Sequence, residues 1–287
     1  MFLDSFVFGE SDKHVYPNWV LAQKQLDRIE FAPITIFYGG NGSGKSTVLN
    51  VIARTIGVRK MSFGNTSDYF RGYTRLCDYE SSWPINYRNA CFIRSEDIME
   101  GIIDIRESNR KTTEYVHKKA AILDDYVEGL ADKLRDPETM EDWERALIAR
   151  LGDGQRLLNA LNGREDQYSN GESAMQYFDK YLARYSLFFL DEPENSLDAL
   201  FQQQLATKLE EHVREAKSRH AHSQFIIATH SPFLMAIEGA KIIDLDSCPS
   251  RERPWFELPN MVAYYQFFQK HAHQFGKGHE EQQGEND

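Results

Sequence analysis

The stretch that decides the fold runs Pro33-Ile34-Thr35-Ile36-Phe37-Tyr38-Gly39-Gly40-Asn41-Gly42-Ser43-Gly44-Lys45-Ser46-Thr47. Pro33 to Tyr38 reads as a strand that ends at glycines. Gly39 to Ser46 matches G-x-x-x-x-G-K-[ST] without a gap. From Lys45 to Ile56 the period turns helical, with Val48, Leu49, Val51, Ile52 and Ile56 on one face and Gly57 as the C-cap. In a strand, glycine loop and helix so ordered, backbone N–H groups curl into an anion nest. The positive end of the helix dipole faces the same point. Gly39, Gly40, Asn41, Gly42, Ser43, Gly44 and Thr47 are therefore candidate phosphate contacts. Lys45 is expected to reach the β- and γ-phosphates, and Ser46 to offer its hydroxyl to Mg²⁺.

A second constellation lies downstream. Leu187-Phe188-Phe189-Leu190-Asp191-Glu192 is an apolar strand ending in two acids. The carboxyl end of such a strand opens on the ligand crevice of an α/β sheet. Asp191 is expected to hold Mg²⁺ through water, and Glu192 to orient or deprotonate the attacking water. A solvated turn after a core strand is the plain alternative. Further strands are expected at Phe2–Phe8, Asn89–Arg94, Gln224–Thr229 and Lys241–Leu245. An amphipathic helix is expected from Asp198 to His220, with Leu205, Leu209 and Val213 on one face. Alternating strands and helices imply an α/β fold with a mixed, mostly parallel sheet covered on both faces; with the Gly39–Ser46 loop, this is the class of P-loop nucleoside triphosphatases (NTPases).

These residues carry a family resemblance. Leu190-Asp191-Glu192-Pro193-Glu194-Asn195-Ser196-Leu197-Asp198 resembles the Walker B motif and D-loop of ABC ATPases, and Ala228-Thr229-His230-Ser231-Pro232-Phe233 the H-loop of their non-transporter branch. That branch includes SMC, RecF and OLD-type heads and small bacterial predicted ATPases. Tyr168-Ser169-Asn170-Gly171-Glu172-Ser173 is similar to its signature motif. The order of motifs is the family's order, over Ile34–Ile56 and Tyr168–Phe233. The resemblance implies ATP and Mg²⁺ as cofactors and a slow ATPase. It also implies a head-to-tail homodimer enclosing two nucleotides, with Ser169 and Gly171 holding ATP in trans. His230 would then sense the γ-phosphate, with Glu192, His230 and Lys45 as the catalytic set. Asp198 would lie at the dimer seam, or simply cap the following helix. Ser169–Gly171 also reads as an ordinary capped turn, and His230 as a hydrogen-bonded histidine at a strand end.

The sequence departs from the transporter pattern after Cys91-Phe92-Ile93, where Arg94-Ser95-Glu96-Asp97 carries no Gln. Glu96 is a candidate metal-side acid, and Arg94 a candidate phosphate contact. The family's N-terminal nucleotide contact has no counterpart in Phe8–Lys13, and Tyr16 and Trp19 are candidates for adenine stacking or for packing.

The chain has 287 residues, 41% hydrophobic, enough for one large domain with an insertion. One domain over 1–275 is expected, with a helical insertion at about 106–162 and a disordered acidic tail at 276–287. The insertion is either a surface for an effector protein or a lid supporting the signature helix. A net charge of -11 argues against coating nucleic acid, since such binding comes from many Lys/Arg–phosphate contacts. Cys77, Cys91 and Cys248 have neither disulfide-framework nor zinc spacing. No apolar run approaches the roughly 20 residues of a membrane span, and no signal peptide is read, so a cytoplasmic location is expected. The function implied is an ATP-gated switch for a partner, such as a nuclease or toxin in DNA repair or phage defence. A transporter motor subunit and a non-hydrolysing ATP-binding scaffold are the alternatives.

Overall fold

The computed structural model describes residues 1–10, 16–60, 68–86, 89–104, 107, 170–184 and 186–283. Two compact units are present: 1–98 together with 178–287, and 99–177. The second unit brackets the insertion expected at about 106–162, which apart from Glu107 lies outside the described residues.

The first unit holds a seven-stranded sheet. Its strands are β3 (Ile34–Tyr38), β4 (Arg59–Lys60), β6 (Ala90–Arg94), β7 (Leu187–Asp191), β8 (Gln224–Ala228), β9 (Lys241–Asp244) and β10 (Arg251–Glu252), in the order β10-β9-β3-β8-β7-β6-β4. All pairs are parallel except β9 with β10. Every residue of β3, β7 and β8 is buried, as their continuous apolar runs require of strands covered on both faces. Phe37 pairs with Ala228, and Ala228 with Asp191. The three strands therefore end at one level, with β8 between the phosphate loop and the acids.

A smaller antiparallel sheet, β2 (Arg28–Glu30), β1 (Leu3–Val7) and β5 (Asp78–Ser81), lies alongside in the order β2-β1-β5. Gln224, a fully buried polar residue at the start of β8, ties the two sheets together. Its Oε1 accepts from the amides of Phe2 (3.1 Å) and Leu3 (2.8 Å), and its Nε2 donates to the carbonyls of Leu3 (2.8 Å) and Ala32 (3.2 Å). With both ends satisfied, the hydrogen bonds offset the cost of desolvating the carboxamide.

Helices α1 (Asn18–Lys24), α2 (Lys45–Ile56) and α3 (Asp68–Thr74) belong to this unit, and α4 (95–104) begins directly after β6. The apolar face expected of α2 is the one buried, and Gly57 closes it as predicted, donating to Ala53 and Arg54. After α5 (Asn170–Leu182) and β7 come α6 (Ala199–Ser218), α7 (Pro232–Met235) and α8 (Pro259–Gln283). Leu205 and Leu209 of α6 are buried. Within the second unit, Gly101 of α4 lets the ring of Tyr177 approach: a Cβ there would stand 2.4 Å from Tyr177 Cε2.

Helix α8 extends to Gln283, inside the tail expected from residue 276, and 284–287 lie outside the described residues. Lys, His, Glu and Gln propagate a helix already under way, even across Gly276 and Gly278. Among the described residues, no helix is long and apolar enough to cross a membrane.

Candidate nucleotide site

The loop after β3 doubles back tightly. Ser43 N donates to Gly40 O at 3.1 Å, and a Cβ on Gly39 would meet Ser43 Oγ at 2.5 Å. Gly44 has φ +97°, and a Cβ there would strike Val20 at 2.6 Å. The loop leaves no room for larger residues at these two positions. Gly44 contributes no side-chain cap to α2, so the first-turn amides stay available to an anion. Ser43 Oγ is buried and has no hydrogen-bond partner among the described residues.

Lys45 lies back across this loop, 4% exposed. Its Nζ donates to the carbonyls of Gly39 (2.9 Å) and Gly40 (3.1 Å) and stands 3.0 Å from His230 Nε2 and 3.7 Å from Glu192 Oε1. Burial lowers its pKa, against the pull of Glu192, Glu194, Asp246 and Asp191.

Ser46 Oγ donates to Asp191 Oδ1 at 2.8 Å. Burial raises Asp191 to about 6, helped by the charges of Glu192 and Glu96 and opposed by the Ser46 hydrogen bond and Arg94. A hydroxyl and a carboxylate this close suit a Mg²⁺ ion, which takes one or two protein oxygens and keeps waters and phosphate oxygens for the rest. Ser46 and Asp191 are the residues that would hold it, and the ion would neutralise phosphate charge there.

Glu192 follows with φ 49° and ψ 53°, a left-handed backbone outside glycine's usual company. Its amide still extends the ladder, donating to Ala228 O at 2.8 Å, while Pro193 opens a 3₁₀ turn. That reversal turns the carboxylate back toward β8. Oε1 lies 3.2 Å from His230 Nε2, and Oε2 accepts from Asn195 Nδ2 at 3.1 Å. His230 Nε2 thus faces both Lys45 and Glu192. As a neutral acceptor it takes a hydrogen bond from the ammonium, and as a donor it serves the carboxylate.

The neighbours of His230 are structural. Thr229 Oγ1 accepts from Ser231 N at 2.9 Å. Ser231 caps α7 through Leu234 N, with Pro232 at the first helical position. Glu194, which sequence reasoning placed in the D-loop without a task, is 7% exposed and accepts from the His230 amide. It fixes the height of the histidine between the loop and the acids. Asp198 caps α6, accepting from Phe201 N at 3.0 Å.

Asp246, which no motif flags, reaches the phosphate loop: its Oδ2 accepts from Gly40 N at 2.8 Å. Asp244, 1% exposed, builds the turn that presents it, accepting from Asp246 N at 2.9 Å and Ser247 Oγ at 2.6 Å. Arg94, read as a phosphate candidate, donates to Asn50 Oδ1 of α2 at 3.1 Å. Glu96 is exposed on α4. Among the described residues its charge reaches Asp191 only through space, without a hydrogen bond to Asp191 or Ser46. Tyr16 OH is 3.4 Å from Thr47 Oγ1, but its ring stacks on Phe70 at 5.9 Å; Trp19 is 45% exposed. Gly171 is buried in the first turn of α5, and Ser169 lies outside the described residues.

A family model described as "AAA domain, putative AbiEii toxin, Type IV TA system" matches residues 147–236, which include Asp191, Glu192 and His230 but not the phosphate loop. No curated protein matches the chain. Among solved structures, the SMC head domain of Thermotoga maritima is similar at 15% identity, with 88% of this chain and 99% of that one covered and a TM-score of 0.43. The SMC head of Pyrococcus furiosus, solved bound to the C-terminal domain of ScpA, is similar at 14% identity, 79% and 91% coverage and a TM-score of 0.37. An ABC transporter of metal-chelate type in an inward-facing conformation gives 16% identity, 92% and 88% coverage and a TM-score of 0.41.

Proposed function

We propose that this chain, a P-loop ATPase of the ABC/AAA-like kind, binds Mg-ATP, hydrolyses it slowly and works as a nucleotide-gated switch. The observation that carries this reading is the convergence of Lys45, His230 and Glu192 beside the Ser46–Asp191 pair, at the ends of three adjacent strands. Lys45 gives counter-charge to the phosphates. Glu192 accepts a proton from water or orients it, and His230 links that carboxylate to the ammonium. Two heads pair head to tail, and Ser169 and Gly171 complete the partner's site. Hydrolysis removes charge from the seam and the heads part. The switch is read by an effector protein of the nuclease or toxin type, in line with the toxin–antitoxin description of the matching family.

Turnover and binding test the enzyme. Glu192→Gln keeps nucleotide affinity and loses roughly 10²–10⁴-fold in turnover. Lys45→Ala weakens ATP binding roughly 10–100-fold, the worth of a charged hydrogen bond of about 1.5–3 kcal/mol. Unchanged ATP affinity in Lys45→Ala would sink the phosphate-loop assignment, and undiminished turnover in Glu192→Gln the role of that acid. Ser169→Arg keeps ATP binding and abolishes nucleotide-driven pairing of heads; pairing that survives it would mean the signature is misassigned.

A further inference from the structure

We infer that α8 and the aromatic groove at its root form a nucleotide-independent interface between two copies of this chain. Among the described residues the helix is a long apolar surface with little cover. Tyr264, Tyr265, Phe267, Phe268 and Phe275 are each 49–65% exposed. Trp255 and Phe256, just ahead of the helix, are 40% and 60% exposed. At roughly 200 Å² per aromatic side chain, about half of it in water, these seven leave roughly 750 Å² uncovered. That exceeds the few hundred Å² a monomer ordinarily shows and equals the roughly 800 Å² each partner gives to a stable interface.

The pattern names the occupant. Met261, Tyr264, Phe268, His271 and Phe275 follow one another at spacings of three, four, three and four. That spacing makes a seam onto which a second helix packs. Met261 is buried at its base, and the rest of the seam is uncovered or half-covered. His271 supplies the single polar position, its ring 4.7 Å from Phe267, the kind of break that fixes register. Lys270 is the one charged residue between Pro259 and Phe275. A foreign protein or lipid headgroup would find no charge pattern to recognise, and a membrane-surface helix would carry a Lys/Arg-rich polar face. A second copy brings the same seam in a self-complementary pairing.

At its root the surface continues into a groove of about 730 Å³ lined by Ala199, Pro232, Phe233 and Trp255 among others. Ala199 and Pro232 stand next to the α6 cap Asp198 and close to His230. The aromatic surface is therefore continuous with the nucleotide face, but none of its atoms belongs to that site. Holding a nucleotide at Lys45 and His230 does not itself use these rings, so the contact forms with or without ATP.

Sedimentation of the full chain without nucleotide tests this, from about 10 nM to 10 µM, a range that brackets ordinary affinities. The expected mass is that of two chains, and Tyr264→Glu with Phe268→Glu raises the dissociation constant at least 100-fold. Hydrogen exchange on the unmodified protein locates the contact: amides of residues 262–275 are protected at high concentration and lose protection on dilution. Lys45→Ala leaves this dimer intact, so failure of the ATP assignment and failure of this interface are separable. In the double Glu variant, head pairing is then read alone, as a rise in mass on adding Mg-ATP to the Glu192→Gln form. A wild-type monomer at 10 µM, a dimer that survives both Glu substitutions, or a monomer that sediments with phosphatidylcholine vesicles would each overturn the interface.

Discussion

The nucleotide face and the flank of α8 treat their demanding groups in opposite ways. At the strand ends, the polar groups answer one another: Lys45 with two loop carbonyls and His230, Ser46 with Asp191, Gly40 N with Asp246. Along α8, large rings stand in water with mainly one another for company, as Phe268 does with Phe275 at 6.0 Å. The first surface has internal substitutes for its ligand, so binding there is an exchange of partners. The second has none, so its occupant is recruited by burial alone. Polar sites of this kind can idle; an uncovered aromatic face of this area cannot.

Substitutions can break that contrast or sharpen it. The largest effect is expected at Asp191. Asp191→Asn lowers Mg-dependent turnover by more than the roughly 10–100-fold seen for the supporting groups of metal sites. The same residue sets a pH dependence. In the metal-free protein its carboxyl, raised to about 6, must ionise before it can take the ion, so Mg²⁺ affinity falls as pH drops through about 6 while Asp191→Asn loses that dependence. Protein stability runs the other way. The stabilisation from holding this proton is full below the ordinary carboxylate value and fades as pH rises through about 6. Mg²⁺ titrations whose affinity does not weaken below about pH 6 would show that Asp191 does not govern the metal.

A smaller effect, of opposite sign, is expected at Asp246. Its carboxylate occupies an amide that a phosphate oxygen would use, so Asp246→Ala tightens ATP binding by about tenfold, the scale of one charge-assisted hydrogen bond. Weaker binding in calorimetry would make Asp246 a brace for the loop rather than a competitor. Next comes Asp198→Ala, which removes the α6 cap and costs about 1 kcal/mol of stability in denaturant melts. Comparable in size, Tyr264→Ala with Phe268→Ala in a diluted, monomeric chain costs about 1–2 kcal/mol, because each ring is about half-buried within its own chain.

The difference in legibility between the two regions follows from locality. The phosphate loop, β7 with its acids and β8 with His230 are each written in a few consecutive residues, and the sequence places them with their boundaries nearly right. Asp246 reaches Gly40 across 206 positions, through the pairing of β9 with β3, and no local pattern announces such a meeting. Glu194 stood in plain view beside the acids, but its task depends on the His230 amide that β8 carries to it. The contact of Arg94 with Asn50, a turn into α2 and distant in sequence, is likewise announced by no local pattern. The α8 seam is obscured by crowding: aromatic residues at 264, 265, 267 and 268 blur the period, and the polar run after Phe275 reads as an ending.

The left-handed backbone of Glu192 has an evolutionary consequence. A non-glycine residue held there stores about 1–3 kcal/mol, which glycine would release. The substitution that most simply firms up this turn is therefore the one that deletes the proposed base. A population selected only for heat resistance should drift toward inert heads at this codon, and the persistence of an acid there would measure how strongly turnover itself is under selection.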